Sequence, residues 1–303
     1  SIREHQESQR LEGMRVHVAL FFVSLLYAIL FSWAGQIMPN FLTPEAFVML
    51  RVITATSLFF LFSMTVPREP IQWKQHGWEF AICGFFGTSA NMYLFFHGLA
   101  LTHPINGAIL MLVTPLFVGI FDHIRLKAKP HLWFLIGTII AAAASIWLMV
   151  GKGAHFNNET LKGDLFVAIN ALFYAIYLVR VKKIAHIYKP ITINKVTFTF
   201  GTLYMLPVGG WALYHTNFET FTPSISAKVV YILFFTSFLV YLLNSYAVKK
   251  AGPTLAGLYI YLQPVLATVI AMLLGTDILT ASKALLMVMI MTGVFIATRF
   301  SPK

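Results

Sequence analysis

Charge is what this chain has least of. Only 11% of its 303 residues are Asp, Glu, Lys or Arg, while 58% are hydrophobic. A soluble domain carries about 25% charged residues. With a mean hydropathy of +0.75, the molecule must face lipid over most of its surface. The single cysteine, Cys83, sits in an apolar segment, which excludes an internal disulfide. Phosphate-binding glycine loops, HExxH pairs and nucleophile elbows are missing. The ten histidines are scattered without metal-ligand spacing. These absences assign no catalytic residue, no metal and no cofactor, and the chain reads as a non-enzyme. A membrane-embedded transferase would need a cluster of His, Asp or Glu at one membrane face, and none is visible.

Acids are missing from another place. All eleven fall, by pattern, in loops or at helix ends. An ionisable group in mid-membrane costs about 2.5–3.5 kcal/mol and usually marks an ion path. Coupling through a buried carboxylate is therefore not expected.

Ten apolar stretches are present, each about long enough to cross the hydrocarbon core as a helix: Val16–Met38, Phe47–Val66, Trp78–Ala100, Ile105–Ile124, Leu132–Val150, Leu165–Val181, Ile193–Tyr214, Val229–Ala247, Thr254–Gly275 and Ala284–Thr298. Prolines and glycines punctuate the joints. Residues 1–15 are too polar to begin a cleavable signal peptide and read as a cytoplasmic tail with an amphipathic turn. With the N-terminus inside, 17 of the 22 Lys and Arg fall on the inner side, 4 on the outer, and Arg51 within a helix. Cytoplasmic loops favour Lys and Arg, so both termini are expected in the cytoplasm of a multi-pass cell-membrane protein. The net charge of +11 is spent on this bias, and nucleic acid is not an expected partner.

An internal repeat accompanies the ten stretches. Pro104 and Pro115 recur 149 residues later as Pro253 and Pro264, and Tyr27 recurs 147 residues later as Tyr174. Each half, residues 16–150 and 163–299, then holds five helices, and an odd number inverts the second half relative to the first. Inverted repeats characterise transporters, whose site lies near the midplane between the halves. The fold expected is all-α integral membrane, ten helices in an inverted five-plus-five repeat, working as a monomer.

The polar residues within the apolar stretches are the candidate site. Asn170, Tyr174 and Tyr177 share a face of the sixth helix. Tyr241 and Asn244, with Ser237, repeat that spacing on the eighth. Tyr259 and Gln263 lie one turn apart on the ninth, and Tyr27 and Asn91 sit on the first and third. Buried amides and phenols in lipid need partners, so these residues either bridge helices or line a cavity; their concentration on matching helices favours the cavity. Pro115 and Pro264 each free a carbonyl in mid-helix, either as a packing kink or as a hinge beside the site. Arg51 either snorkels to the outer headgroups or grips an anionic substrate group. His97, near the outer end of the third helix, is a candidate proton carrier, since imidazole is the side chain that titrates near neutrality. Ala141–Ala144, Ser145 and Gly293 offer small faces for close packing of the fifth and tenth helices.

The TPLFVG and LQPVLAT cores, the GDLFVAINALFYAIYLVR segment that opens the second half, and Arg51 after a Pro-Glu helix start together resemble the drug/metabolite transporter superfamily, in its EamA-type permease branch. The resemblance runs from about Val16 to Thr298. It implies a central cavity lined by the first, third, fourth, sixth, eighth and ninth helices, alternating access, and export or facilitated passage of amino acids or related metabolites. It also shows departures. Glutamates that often follow the fourth and ninth helices are here Ala128 and Asp277. The first-helix glutamate of the small multidrug relatives has no counterpart in Val16–Met38, and Tyr27 and Tyr174 stand where tryptophan is common. The alternative to a carrier is a lipid-handling or scaffold protein without an aqueous site, which predicts an apolar interior.

Overall fold

The computed structural model describes residues 2–302, and its regular elements are all helical. Ten passages follow one another: α1 Ile2–Ile37, α2 Pro44–Ser63, α3 over 73–101, α4 Pro104–Leu126, α5 Leu132–Val150, α6 Leu161–Ala185, α7 Pro190–Tyr214, α8 Pro223–Ala251, α9 Pro253–Leu273 and α10 Ala281–Arg299. Among the described residues, nine are long and apolar enough to cross a bilayer. The tenth, α3, is long but diluted by polar and small residues. Thr88, Ser89 and Asn91 are buried, so α3 turns its polar side to protein rather than lipid. Ile139, Leu203, Leu285 and Phe295 are exposed, as a lipid-facing surface requires.

Local chemistry sets many of the starts. Pro44, Pro104, Pro190, Pro223 and Pro253 occupy first helical positions, where the missing N–H costs nothing. Thr43, Thr222 and Thr280 cap α2, α8 and α10 through their hydroxyls. α1 runs unbroken from Ile2, so the polar residues before Val16 extend the first helix; their Glu, Gln and Arg are good helix formers, and no proline intervenes. One boundary is corrected. α3 begins at Trp73 rather than Trp78, so Glu79 lies inside the helix. There its carboxylate pairs with Arg180 of α6 at 2.8 Å.

The two halves meet through equivalent surfaces. α2 lies along α7, α5 lies along α10, and α3 packs on α6 as α8 packs on α1. Thr56 and Thr202, 146 residues apart, hydrogen-bond to each other at 2.9 Å. A residue bonded to its own counterpart marks a pseudo-two-fold axis. The same reciprocity appears between α5 and α10. A Cβ on Gly137 would meet the Ala297 nitrogen at 2.6 Å, and one on Gly293 would meet the Ala141 nitrogen at 2.7 Å. Only glycine allows that approach.

Candidate functional site

Both halves carry a Thr-Ser pair, Thr88–Ser89 and Thr236–Ser237, and at both the helix widens into a π-turn, over Phe85–Ser89 in α3 and Ile232–Leu239 in α8. The hydroxyls of Thr88 and Ser89 donate back to the Gly84 carbonyl, and those of Thr236 and Ser237 to the Ile232 carbonyl. Such widened turns often sit at functional sites. Two further breaks interrupt the fourth and ninth helices. α4 loosens at Leu112–Val113, just before Pro115, and α9 passes through a 3-10 turn at Tyr259–Tyr261, just before Pro264. The Tyr259 carbonyl accepts from Ser24 of α1 at 2.7 Å, so a neighbouring helix repairs part of the break.

A central cavity lies among these irregular segments, lined from α1, α2, α3, α4, α6, α8 and α9. Tyr27, Arg51, Asn91, Asn170, Tyr174, Tyr241, Asn244, Tyr259 and Gln263 all line it. One residue expected on the wall, Tyr177, does not. Tyr177 is fully buried with its ring pressed against Gly87 of α3; one turn along α6 carries it out of the cavity and into the α3 contact. His97 also lies outside the lining. Its Nδ1 stands 3.2 Å from Glu45 Oε1 of α2, an ion-pair distance without hydrogen-bond alignment, and its ring stacks on Tyr93.

The polar groups of the lining form a network with gaps. Asn244 Nδ2 donates to the Tyr174 hydroxyl at 2.7 Å, and Tyr27 lines the same cavity. The Tyr241 hydroxyl donates to the Gly87 carbonyl at 2.7 Å. The Tyr259 hydroxyl meets His17 Nδ1 at 2.5 Å. Arg51 does not reach the headgroups. It is 3% exposed, donates from Nε to Ser237 Oγ at 2.6 Å and from Nη2 to the Thr236 carbonyl at 3.1 Å, and lies over the Phe96 ring. Asn91 Nδ2 and Asn170 Oδ1 are buried without a hydrogen-bond partner. Phe31, Met92, Phe95 and Met111 supply apolar wall. The space open to water centres is about 50 Å³. One water needs about 10–15 Å³ on that measure, so this conformation holds a few waters and no larger solute.

A second space of about 320 Å³ adjoins the cavity, and Phe31 and Gln263 line both. Pro264 and Lys152 border this vestibule, whereas Pro115 faces a groove between α4 and α5.

The model of the EamA-like transporter family matches twice, over residues 14–150 and 161–299. The chain belongs to that family. This EamA-like transporter is 22% identical over 271 residues to the uncharacterized transporter YyaM of Bacillus subtilis (strain 168), covering 88% of each chain. It is 27% identical over 186 residues to an uncharacterized transporter of Archaeoglobus fulgidus, covering 59% of this chain and 62% of that one. A solved crystal structure superposes with a TM-score of 0.73 at 17% identity, over 97% of this chain and 99% of the other, and shows the shared fold. The transporter is thus a multi-pass membrane protein of five plus five helices.

The sequence reading passed over three features of this EamA-like transporter. The Thr-Ser pairs are visible as a repeat 148 residues apart. Asp122 of α4 and Asp164 of α6 lie near helix ends as expected, yet both are buried. Asp122 accepts from Thr254 of α9 at 2.6 Å, and Asp164 from Thr102 at 2.5 Å. Both aspartates thereby tie one half to the other.

Proposed function

We propose that this transporter carries a small metabolite, an amino acid or related compound, through the central cavity by alternating access, as an exporter or facilitator. The observation that carries the reading is the central cavity between the halves, with buried Asn91 and Asn170 groups left unpaired. Unpaired buried polar groups cost about 1–3 kcal/mol each, a cost a bound solute removes. An interior built only for helix packing or lipid handling would be apolar or fully paired. In this reading Tyr27, Asn91, Asn170, Tyr174, Tyr241, Asn244, Tyr259 and Gln263 contact solute. α4 and α9 bend at the breaks beside Pro115 and Pro264, so that the Phe31–Gln263 partition opens as the other side closes. The carrier sits in the cell membrane with both termini cytoplasmic.

The test is thiol accessibility in reconstituted vesicles. A cysteine replacing Gln263, in a chain whose Cys83 is changed to Ala, should react with membrane-impermeant reagents from each side in turn as conditions vary. Reactivity from neither side under any condition would remove the alternating-access reading.

A further inference from the structure

Arg51 is the one cation on the cavity wall, and nothing among the described residues neutralises it. No carboxylate lines the cavity or the vestibule. Its hydrogen bonds use Nε and Nη2 and end on hydroxyls and a carbonyl. No described residue accepts from Nη1. A guanidinium stays charged at any physiological pH, and a charge taken from water without a counter-ion is strongly unfavourable. Thr236 and Ser237 in the π-turn of α8 hold Nε and Nη2 of the fork, and Arg51 lines the cavity with Nη1 left over. A planar fork with a free edge matches a carboxylate or a similar oxyanion.

The remaining surroundings agree. Asn91 Nδ2, a second free donor, lines the same cavity. The vestibule carries one charged side chain, Lys152, whose Nζ donates to Thr268 at 2.5 Å. Among the described residues, the walls of the two spaces bordering Gln263 carry Arg51 and Lys152 and no carboxylate, Asp277 acting on Lys152 from outside the wall, and are otherwise mainly aromatic and aliphatic.

We infer that the solute is an organic anion, with a carboxylate or comparable oxyanion received by Arg51 and Asn91 and an apolar body set against the aromatic wall. The inference rests on the transport reading above and narrows its amino acids and related compounds to the related carboxylates, since the ammonium of an amino acid would find no counter-charge here. Cationic solutes are excluded by the same argument, since the site offers them no counter-charge.

The test varies head charge at constant body. Purified unmodified protein is heated with phenylacetate, phenylacetamide or phenethylamine, and with valerate, valeramide or pentylamine. Ligands that bind the folded state raise the melting temperature by mass action. The carboxylate of at least one series should stabilise, and its amide and amine should not. In Arg51→Gln the carboxylate should bind about tenfold or more weakly, with part of the affinity restored in Arg51→Lys. Comparison on the unmodified chain keeps the test decisive even if Arg51→Gln does not fold. Equal stabilisation by amide or amine, stabilisation by no member of either series, or undiminished carboxylate binding in a folded Arg51→Gln overturns the inference. The thiol experiment at Gln263 separates the two failures. Alternation there with a negative anion series removes the substrate class alone, whereas no alternation removes the carrier itself.

Discussion

Tyr174 shows how much one side chain can carry. It is 7% exposed, accepts from Asn244 at 2.7 Å and lines the cavity. Truncation to Ala strands Asn244 at about 1–3 kcal/mol for an unsatisfied buried group, and removes wall that a solute would touch. Gln263 occupies the corresponding place between cavity and vestibule. Tyr174→Ala and Gln263→Ala are expected to lower solute flux in proteoliposomes at least tenfold, while the melting temperature falls by only a few degrees. Normal flux in both folded variants would mean the cavity is not the route. The polar face of α6 was legible as a spacing, and Asn170 and Tyr174 do line the cavity. Tyr177 was not separable from them, because helical spacing gives a face but not the angle at which α3 and Gly87 close over it.

At the scale of the element, close packing and local irregularity divide the work. α5 and α10 touch through Gly137 and Gly293 with backbone in the way of any Cβ. Gly293→Leu is expected to push these helices apart and destabilise by about 1–3 kcal/mol, the usual cost of overpacking. A melting temperature equal to that of the unmodified protein would show that the contact is not tight. α3, α4, α8 and α9 behave differently, each broken or widened near the cavity. Prolines announced two of the breaks. The π-turns were hidden because Thr and Ser are common in transmembrane helices, and only the paired hydroxyls returning to one carbonyl reveal the widening.

For the whole molecule, orientation and coupling are open to direct measurement. From the bias of Lys and Arg, the loop after α5 is expected outside and the loop after α4 inside. A thiol at Asn157 should be labelled by an impermeant reagent added to intact cells, and one at Lys127 should not; the reverse pattern would invert the topology. The candidate for coupling is His97, which stands beside Glu45 of α2 with Tyr93 of α3 and Phe166 of α6 against its ring. Uptake is therefore expected either to ignore an imposed pH gradient or to respond to it only while His97 is present. Concentrative, gradient-driven uptake that persists in His97→Gln would assign coupling to another group, with buried Asp122 and Asp164 the next to be replaced.

The sequence by itself determined the solvent, the all-helical membrane fold and the two-fold repeat, because lipid forces apolar length and full backbone pairing on every crossing. Of the polar residues it put forward, nine lie on the wall of the central cavity, since polarity inside an apolar stretch must face protein. Only the tertiary structure decided where Arg51 points. From the sequence it could as well have reached the headgroups, being about one turn from a helix end. Its place was settled by Ser237 and Thr236, 186 and 185 residues away, whose π-turn offers acceptors at the cavity edge. Long-range contacts of that kind leave no periodic trace along the chain, because they depend on how helices from opposite halves are set against each other.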